Sequence, residues 1–272
     1  KTANKYGIKV FIMPQSFGPF NYSSVISPII NIMIKNSLKL AIKIYARESM
    51  GYELLTKKYN LKNVELSPDL VLQSKKIDLK KIYRSIPINR NVEIEHDSVA
   101  IVPNMKILKY GNKDEIIELY TETIRRLLKF NKKVYLLRHS VEDIEACKMI
   151  KDKFSDNNKV ILLSDNYSCI EYGEIVKGFN YIIASRYHSI VHAYREGIPC
   201  IALGWAVKYH ELLFLFKQES YIFDVRKGID FNQFFSALEK MEGNFRKESK
   251  VIIERLKIIQ KKNVFSVIKE DG

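Results

Sequence analysis

The stretch NYIIASRYHSIVHAYREGIPCIALGW, residues 180–205, contains the pattern that decides the predicted fold. YIIAS (181–185) and CIALGW (200–205) are short uninterrupted apolar runs, which are typical of buried parallel strands. Between them, residues 188–196 have helical length and end before Gly197, a residue type that commonly stops helices. The stretch therefore predicts a strand–helix–strand unit with Ser-Arg-Tyr-His at the exit of its first strand.

The same alternation of short apolar runs and helical runs extends over most of the chain, which predicts an α/β protein with parallel sheets. The predicted strands are residues 8–13, 43–47, 63–66, 98–103, 133–138, 159–163, 181–185 and 200–205. The predicted helices are residues 24–40, 49–59, 113–130, 141–154, 168–178, 188–196 and 245–262, with further helix after residue 208. Residues 74–97, which are rich in Lys, Asn and Pro, lose this rhythm. We therefore predict two Rossmann-like doubly wound domains, residues 1–90 and 91–272, with a final helix that could cross back onto the first domain.

Length and composition fit this reading. The chain has 272 residues, of which 46% are hydrophobic and 28% are charged, and it has no run of about 18 apolar residues that would span a bilayer. Cys147, Cys169 and Cys200 lie far apart without a CxxC pair, which favours a reducing compartment. We therefore expect a cytoplasmic protein, or one at the inner face of the cell membrane. No signal peptide is visible, but Lys1 almost directly precedes a strand, so we expect the first domain to be incomplete at its amino terminus.

The net charge of +14 favours anionic partners. The lysines are scattered as pairs and are not gathered with arginines and aromatic residues, so we expect no nucleic acid partner. Phosphorylated substrates and a peripheral contact with an anionic membrane remain open.

Several catalytic signatures are absent from the sequence. There is no GxxxxGK[ST] loop, no GxGxxG after a strand and no GxSxG elbow. His188 and His192 have the spacing of a metalloprotease HExxH motif, but Ser189 stands where that motif has its glutamate. We therefore expect no metal, and we expect His192 to pack on its helix.

Arg186 and His188 are the strongest functional candidates. A helix that opens near Tyr187 presents unpaired N–H groups and the positive end of its dipole to an anion. A guanidinium there can bind a carboxylate or phosphate with two hydrogen bonds, and an imidazole two residues later can exchange protons near neutral pH. The alternative reading is a helix start with an incidental arginine.

Other predicted strand exits also carry polar groups, and in two doubly wound domains such exits surround the ligand crevice. They are PQSFGPF (14–20), ARES (46–49), SPD (67–69), PN (103–104) and RHSVED (138–143). Gly18 between Pro14 and Pro19 favours a loop of fixed shape with Gln15 and Ser16 facing the crevice, although an ordinary turn is equally compatible.

Taken in order, PQSFGPF, ARES, SPD and ASRYHSIVHAYREGIPCIALGWAVKYHELL closely resemble the polysaccharide pyruvyl transferase family. The resemblance runs from about Val10 to Leu213 and is strongest from Ile183 to Lys208. It implies a GT-B-like pair of Rossmann-type domains. It also implies an enzyme that moves pyruvate from phosphoenolpyruvate, its donor substrate, onto a sugar as a ketal, without a cofactor. The acceptor would be a glycan or lipid-linked oligosaccharide used for exopolysaccharide biosynthesis.

The resemblance also assigns roles to residues. It associates Arg186 and His188 with phosphoenolpyruvate, matches Lys208 to a lysine after the GxP strand, and matches Arg47 to the arginine of an R-(D/E)-x-S segment. Here Ser49 follows Glu48 directly, and the Gly-rich first strand usual in the family is not present.

A further departure concerns the second domain, whose first strand ends in Pro103-Asn104 where many members have an arginine. Either another cation such as Arg138 substitutes for it, or the substrate differs. We therefore predict His188 as the acid/base, a role typically worth about 10²- to 10⁴-fold in rate. Arg47 and Arg186 are the predicted cations from opposite domains. The other predicted substrate-binding residues are Lys208, Gln15, Ser16, Arg138, His139 and Asn104.

Two other functions remain open. YREGIPCIALG also resembles the donor side of GT-B glycosyltransferases that use nucleotide sugars, although no acidic pair with a Gly-rich loop precedes it. A noncatalytic scaffold in a glycan assembly complex is the second alternative.

Overall fold

The structure is a computed structural model that describes residues 2–20, 26–74, 92–261 and 263–266, together with Lys81 and Arg84. The chain forms two compact units, one of Lys1–Lys75 with Ile258–Gly272 and one of Lys76–Lys257. The boundary expected between residues 90 and 91 lies outside the described residues and stays a prediction.

The first unit contains a three-stranded parallel sheet in the order β1-β2-β3. Its elements are α1 Thr2–Lys5, β1 Phe11–Gln15, α2 Ser27–Leu38, β2 Lys43–Ala46, α3 Ser49–Glu53 with a π-helical turn Leu54–Lys58, β3 Val64–Leu66, and α4 Leu70–Gln73. Ile44 of β2 and Leu55 are fully buried and pack with Phe17 and Leu61 in the core of this unit. Gln260 and Val264 also join the unit, since they donate hydrogen bonds to Ser74 and Gln73 at 3.1 and 3.0 Å.

The bounds expected for the first strand, residues 8–13, are wrong. The strand starts at Phe11 and continues through Pro14 to Gln15. Its pairing with β2 shifts register between Ile12 and Gln15. Proline has no N–H to donate, so a strand tolerates it where the ladder is irregular or at a sheet edge.

The second unit contains a six-stranded parallel sheet in the order β6-β5-β4-β7-β8-β9. Its strands are β4 Ser98–Val102, β5 Lys133–Leu137, β6 Val160–Leu163, β7 Tyr181–Ala184, β8 Cys200–Gly204 and β9 Ile222–Asp224. Its helices are α5 Ile107–Tyr110, α6 Lys113–Lys129, α7 Ile144–Lys151, α8 Cys169–Val176, α9 Tyr187–Arg195, α10 Val207–Leu215 and α11 Phe231–Ile259. This strand order is the one typical of Rossmann folds, and its topological switch point lies between β4 and β7.

The apolar runs recognised in the sequence become the centre of this sheet. Every residue of β4, β7 and β8 is buried, as expected for strands covered by helices on both faces. The predicted α/β class with parallel sheets is confirmed. The short strand β9 and helix α5 were not anticipated. Helix α11 begins at Phe231 and not at 245, and its interior includes Gly243, a weak helix former.

Gly197 ends α9 as its sequence position indicates. Its φ of +76° belongs to the left-handed region, and a Cβ at this position would lie 2.8 Å from Ile253 Cγ1. Both conditions favour glycine, because other residues carry a side chain that resists this backbone and would collide with α11.

Across the described part of the chain, no helix combines the length and apolar character needed to cross a membrane.

Candidate functional site

The backbone that leads to Arg186 is fixed at the switch point of the second sheet. Val102 pairs with Ala184, so β4 and β7 end side by side. Ser185 is fully buried and donates from Oγ to the Val102 carbonyl at 3.1 Å. Its own carbonyl accepts from Asn104 Nδ2 and from the Tyr209 hydroxyl, both at 3.1 Å. The exit of β7 is therefore bound by β4, by the loop that follows β4 and by Tyr209 of α10.

Asn104 takes part in this network with both ends of its amide. Its side chain is fully buried, and Oδ1 accepts from the Lys106 N–H at 2.8 Å. These contacts fix the loop after β4 to the exit of β7. A contact of Asn104 with substrate stays a prediction.

Arg186 is clamped by acidic side chains that follow β5. It is the N-cap residue of α9, with extended backbone. Its Nε donates to Asp143 Oδ2 at 2.8 Å and its Nη2 to Asp143 Oδ1 at 2.6 Å. Nη2 also donates to Glu142. The arginine side chain is 16% exposed and that of Asp143 is 0% exposed, whereas Glu142 is 51% exposed.

Asp143 is itself held by a capping box. It ends the short 3₁₀ helix Val141–Asp143, and its Oδ2 accepts from the Ser140 N–H at 3.0 Å. Its Oδ1 accepts from the Met105 N–H at 3.2 Å. RHSVED is a predicted strand exit, but no role is predicted for its Asp143 from the sequence. The Ser-x-x-Asp pattern after a buried strand is the signal that points to it.

Arg186 and Glu142 are both charged near neutral pH. Burial works against the charge of Arg186, but its hydrogen bonds to Asp143 and Glu142 and their negative charges outweigh it, so the pKa of Arg186 is raised. The hydrogen bond from Arg186 lowers the pKa of Glu142.

His188 and Lys208 share one aromatic neighbour, Tyr187. The exposed imidazole of His188 meets the Tyr187 ring edge-on at 5.5 Å between centroids. Lys208, on the first turn of α10, has its Nζ 5.3 Å from the centre of the same ring. The structure thus gathers the predicted acid/base and the predicted lysine around the first turn of α9 that follows Arg186.

His139 lies deeper in the same unit. Its ring packs edge-on against Tyr172 at 5.0 Å, and Tyr172 contacts His192 at 5.5 Å on its other side. Burial, together with the positive charges of His192, His188 and Arg186, lowers the pKa of His139 to about 4. His139 is therefore neutral at physiological pH. His192 packs against Tyr172, and this agrees with the packing expected for it.

Arg138 is half-buried directly after β5. It lies near the buried thiol of Cys147, whose pKa is raised to about 12 by burial and by Asp143, against the lowering effect of Arg138. A role of Arg138 in substrate binding stays a prediction.

In the first unit, Arg47 is held in a similar way at the end of β2. Its Nη1 donates to Asp69 Oδ2 at 2.6 Å and its Nη2 to Ser16 Oγ at 2.8 Å. Asp69 also caps α4 by accepting from the Val71 N–H at 3.0 Å. The serine of PQSFGPF and the aspartate of SPD thus position the arginine of ARES. No role is predicted for Asp69 from the sequence alone.

The loop after β1 is tied to this arginine through Glu48. Glu48 Oε2 accepts from Ser16 Oγ at 2.8 Å, and Oε1 accepts from the Phe17 N–H at 3.1 Å. Gln15 is exposed, and its carbonyl accepts from the Arg47 N–H at 3.0 Å. Substrate contacts of Gln15, Ser16 and Arg47 stay predictions.

Within the ranges that the structure describes, no group of three or more His, Cys, Asp or Glu side chains is arranged to hold a metal ion.

Comparison with known proteins identifies a family. The model of the polysaccharide pyruvyl transferase family matches residues 1–206. Among curated proteins, none matches the chain.

Several solved structures have a similar fold. UDP-GlcNAc 2-epimerase from Methanocaldococcus jannaschii matches 87% of this chain and 64% of its own, with a TM-score of 0.56 and 14% identity. TarM from S. aureus, in complex with fondaparinux, alpha-GlcNAc-glycerol and UDP, matches 97% and 50%, with a TM-score of 0.57 and 14% identity. An E. coli structure described as trehalose-6-phosphate bound with UDP-2-fluoro glucose matches 95% and 66%, with a TM-score of 0.52 and 10% identity.

The chain therefore spans less than two thirds of the length of these structures. At such low identity the matches establish the fold alone. The predicted GT-B-like α/β fold with two parallel sheets is confirmed.

Proposed function

This chain belongs to the polysaccharide pyruvyl transferase family, and we propose that it transfers pyruvate from phosphoenolpyruvate to a sugar of a polysaccharide precursor as a ketal. The observation that carries the proposal is the first turn of α9. There Arg186 is fixed by a buried carboxylate beside the exposed His188 and the ammonium of Lys208. This arrangement suits a small substrate with two anionic groups and a carbon that must be protonated.

The proposed reaction balances as follows. Two sugar hydroxyl oxygens form bonds to C2 of phosphoenolpyruvate, and the bond from C2 to the phosphate oxygen breaks. One of the two hydroxyl protons ends on C3, which becomes a methyl group, and the other leaves with inorganic phosphate. The enzyme therefore needs a group that can take up and deliver protons, and cations that bind the carboxylate and the departing phosphate.

Each residue has a role in this scheme. Arg186 binds the carboxylate or phosphate of the donor, because a guanidinium fits either anion with two parallel hydrogen bonds. Lys208 supplies a second charge for the departing phosphate. His188 exchanges the protons, because its imidazole is exposed and the cations Arg186 and Lys208 lie around the same turn of α9. Arg47 is proposed as a further substrate-binding cation.

The proposal also includes the acceptor and the location. The acceptor is a glycan or a lipid-linked oligosaccharide, and the net charge of +14 suits an enzyme that works at the anionic inner face of the cell membrane.

The test is to incubate the protein with phosphoenolpyruvate and a panel of glycosides and oligosaccharides, and to measure acceptor-dependent phosphate release and the mass of the ketal product. His188→Ala is expected to lower kcat by about 10²- to 10⁴-fold. Arg186→Lys, which keeps the charge but loses the fork, is expected to raise the KM for phosphoenolpyruvate. Matched controls are His96→Ala and Arg125→Ala, two exposed residues away from the strand exits of the same unit.

Three results would contradict the proposal. The first is turnover that survives both His188→Ala and Arg186→Ala. The second is the absence of ketal product with every acceptor. The third is a thermal shift with UDP-glucose or UDP-GlcNAc that exceeds the shift with phosphoenolpyruvate, because ligand binding to the native state raises the melting temperature. That outcome would favour a glycosyltransferase.

A further inference from the structure

A stacked aromatic pair lies on the same unit as Arg186 and His188. The rings of Tyr110 and Trp205 have centroids 5.5 Å apart and planes inclined by 17°. Trp205 is the one tryptophan of the sequence and follows β8 directly. Tyr110 ends α5 and is 55% exposed, and Trp205 is partly exposed. The pair therefore offers an aromatic surface to solvent at the strand-exit edge of the second sheet.

This surface is joined to the candidate site by further ring contacts. Trp205 packs on Tyr209 at 5.1 Å, and Tyr209 meets Tyr187 edge-on at 5.9 Å. Tyr187 in turn contacts His188. Tyr209 is 1% exposed, and its hydroxyl binds the Ser185 carbonyl at the exit of β7. The exposed pair is thus set at a fixed position relative to His188, with two rings between them.

The backbone also holds Tyr110 in place. A Cβ on the next residue, Gly111, would lie 2.8 Å from the Val225 carbonyl oxygen, so the end of α5 packs closely on the segment after β9. Asp224 ends β9 and Arg226 lies in the segment after it, and the two form an ion pair at 2.6 Å. Gly204 pairs in register with Asp224, so Trp205 leaves the sheet beside these polar groups. An aromatic surface next to a carboxylate and a guanidinium is suited to a ligand that is apolar on one face and polar at its edges.

We propose that the Tyr110–Trp205 pair is an acceptor subsite that binds one pyranose ring of an oligosaccharide, other than the sugar that receives pyruvate. The inference rests on the proposed function. A pyranose ring carries C–H groups on one face, and these pack on the negative face of an aromatic ring, while its hydroxyls reach polar groups at the edge. Because two rings separate the pair from His188, the sugar on the pair is a different sugar of the acceptor from the one that reacts. Oligosaccharides therefore bind better than single sugars.

The single tryptophan makes the subsite directly observable. The whole protein is titrated with lactose, cellobiose and maltotriose while Trp205 is excited selectively and its fluorescence is recorded. Parallel titrations use glucose and galactose as monosaccharides and glycerol as a polyol without a ring. Uridine and UDP serve as ligands that carry a planar base. The subsite is supported by a saturable change in Trp205 fluorescence with at least one oligosaccharide. The change must occur at a lower concentration than with the component monosaccharide, and glycerol must give no response. A response to uridine or UDP that exceeds every sugar would overturn it, because aromatic surfaces also stack nucleobases. Absence of any sugar response would overturn it too.

Variants of Tyr110 keep the reporter. Tyr110→Ala is expected to weaken oligosaccharide binding by about three- to tenfold, and Tyr110→Phe, which keeps the ring, to restore it. Phe214→Ala, on α10 of the same unit and 70% exposed, is the matched control and is expected to leave binding unchanged. Equal binding in Tyr110→Ala and the control would overturn the subsite, provided that melting curves show all variants folded.

Turnover separates this inference from the proposed function. With the acceptor found by ketal mass, Tyr110→Ala is expected to raise the KM for the acceptor and to leave the KM for phosphoenolpyruvate unchanged. Ketal formation with an unchanged acceptor KM in Tyr110→Ala would refute the subsite and leave the proposed function standing. A sugar response of Trp205 without any ketal product would refute the proposed function and keep the surface as a glycan-binding site.

Discussion

The fully buried carboxylate of Asp143 binds the guanidinium of Arg186 through two N–H donors, Nε at 2.8 Å and Nη2 at 2.6 Å. The carboxylate is itself held by the Ser140 and Met105 N–H groups. Arg186 is therefore oriented before any substrate arrives, and little side-chain freedom is lost when an anion binds. Such preorganisation matters for catalysis, because a misplacement of about 1 Å can lower the rate by about 10²-fold.

The first prediction concerns Asp143→Asn. The amide keeps the size of the side chain but loses the charge that orients Arg186, so kcat/KM for phosphoenolpyruvate is expected to fall by up to about 100-fold. The free energy of unfolding is expected to fall by about 1–3 kcal/mol, because a buried acceptor of several hydrogen bonds is weakened. Phosphate-release kinetics and urea unfolding measure the two effects.

A split between the two substrates distinguishes positioning from general destabilisation. Asp143→Asn should raise the KM for phosphoenolpyruvate and leave the KM for the acceptor near the wild-type value. Asp152→Asn is the matched control and should change neither constant. Asp152 is exposed and directly follows α7, the helix that begins after Asp143. An equal rise of both KM values would show that Asp143 acts through the fold alone.

The second prediction concerns Glu142, the exposed partner of Arg186. Its carboxylate binds Nη2, a donor that an anionic substrate would also use. Glu142→Gln is therefore expected to lower the KM for phosphoenolpyruvate, by up to about fivefold, because exposed ion pairs are weak. The effect should diminish as salt is raised. A higher KM in this variant would mean that Glu142 helps to orient Arg186 and does not compete with the substrate.

The sequence reveals the central sheet because its strands are buried on both faces and read as uninterrupted apolar runs. YIIAS and CIALGW became β7 and β8 within one residue of their expected ends. The edge strand β9 was not predicted, because Ile222–Asp224 is only three residues long and its residues are partly exposed. The start of α11 was missed by 14 residues, from 245 to Phe231, where Gly243 lies within a continuous helix.

The site was recognisable in its arginines but not in the acids that hold them. An arginine at a strand exit stands out because it follows an apolar run. Asp143 and Asp69 each lie in a separate segment, 43 and 22 residues from the arginine that they bind. Such pairing depends on the order of the strands in the sheet, and the local pattern of neither segment encodes that order.

The third prediction concerns Asp69, which performs two tasks in the first unit. Its Oδ2 binds Arg47 Nη1 and its Oδ1 caps α4. Asp69→Asn keeps a capping side chain and is expected to reduce turnover more than stability. Asp69→Ala removes the cap as well and is expected to cost about 1 kcal/mol more in the free energy of unfolding than Asp69→Asn. Thermal and urea unfolding of the two variants measure the difference, and equal stability would show that the cap contributes nothing.

The fourth prediction concerns the pH dependence of stability. The pKa of His139 is about 4 in the folded protein, against an ordinary value of 6.5. Below pH 6.5 His139 therefore binds a proton in the unfolded chain, whereas in the folded protein it stays neutral down to about pH 4. The stability linked to His139 is complete above pH 6.5 and is lost between about pH 6.5 and 4, by about 3 kcal/mol.

His139→Gln isolates this effect from the carboxylates that titrate in the same range. The glutamine does not titrate, so the free energy of unfolding of the variant should fall less on acidification from pH 7 to 4 than that of the wild type. Urea unfolding at several pH values gives the difference between the two curves. His96→Gln is the control, since this histidine is exposed and lies before β4. Parallel curves for wild type and His139→Gln would mean that His139 takes up its proton in the folded state near its ordinary pKa. The ring would then stand, charged, beside Arg186 and His188 at mildly acidic pH and would add to the positive field that meets the donor.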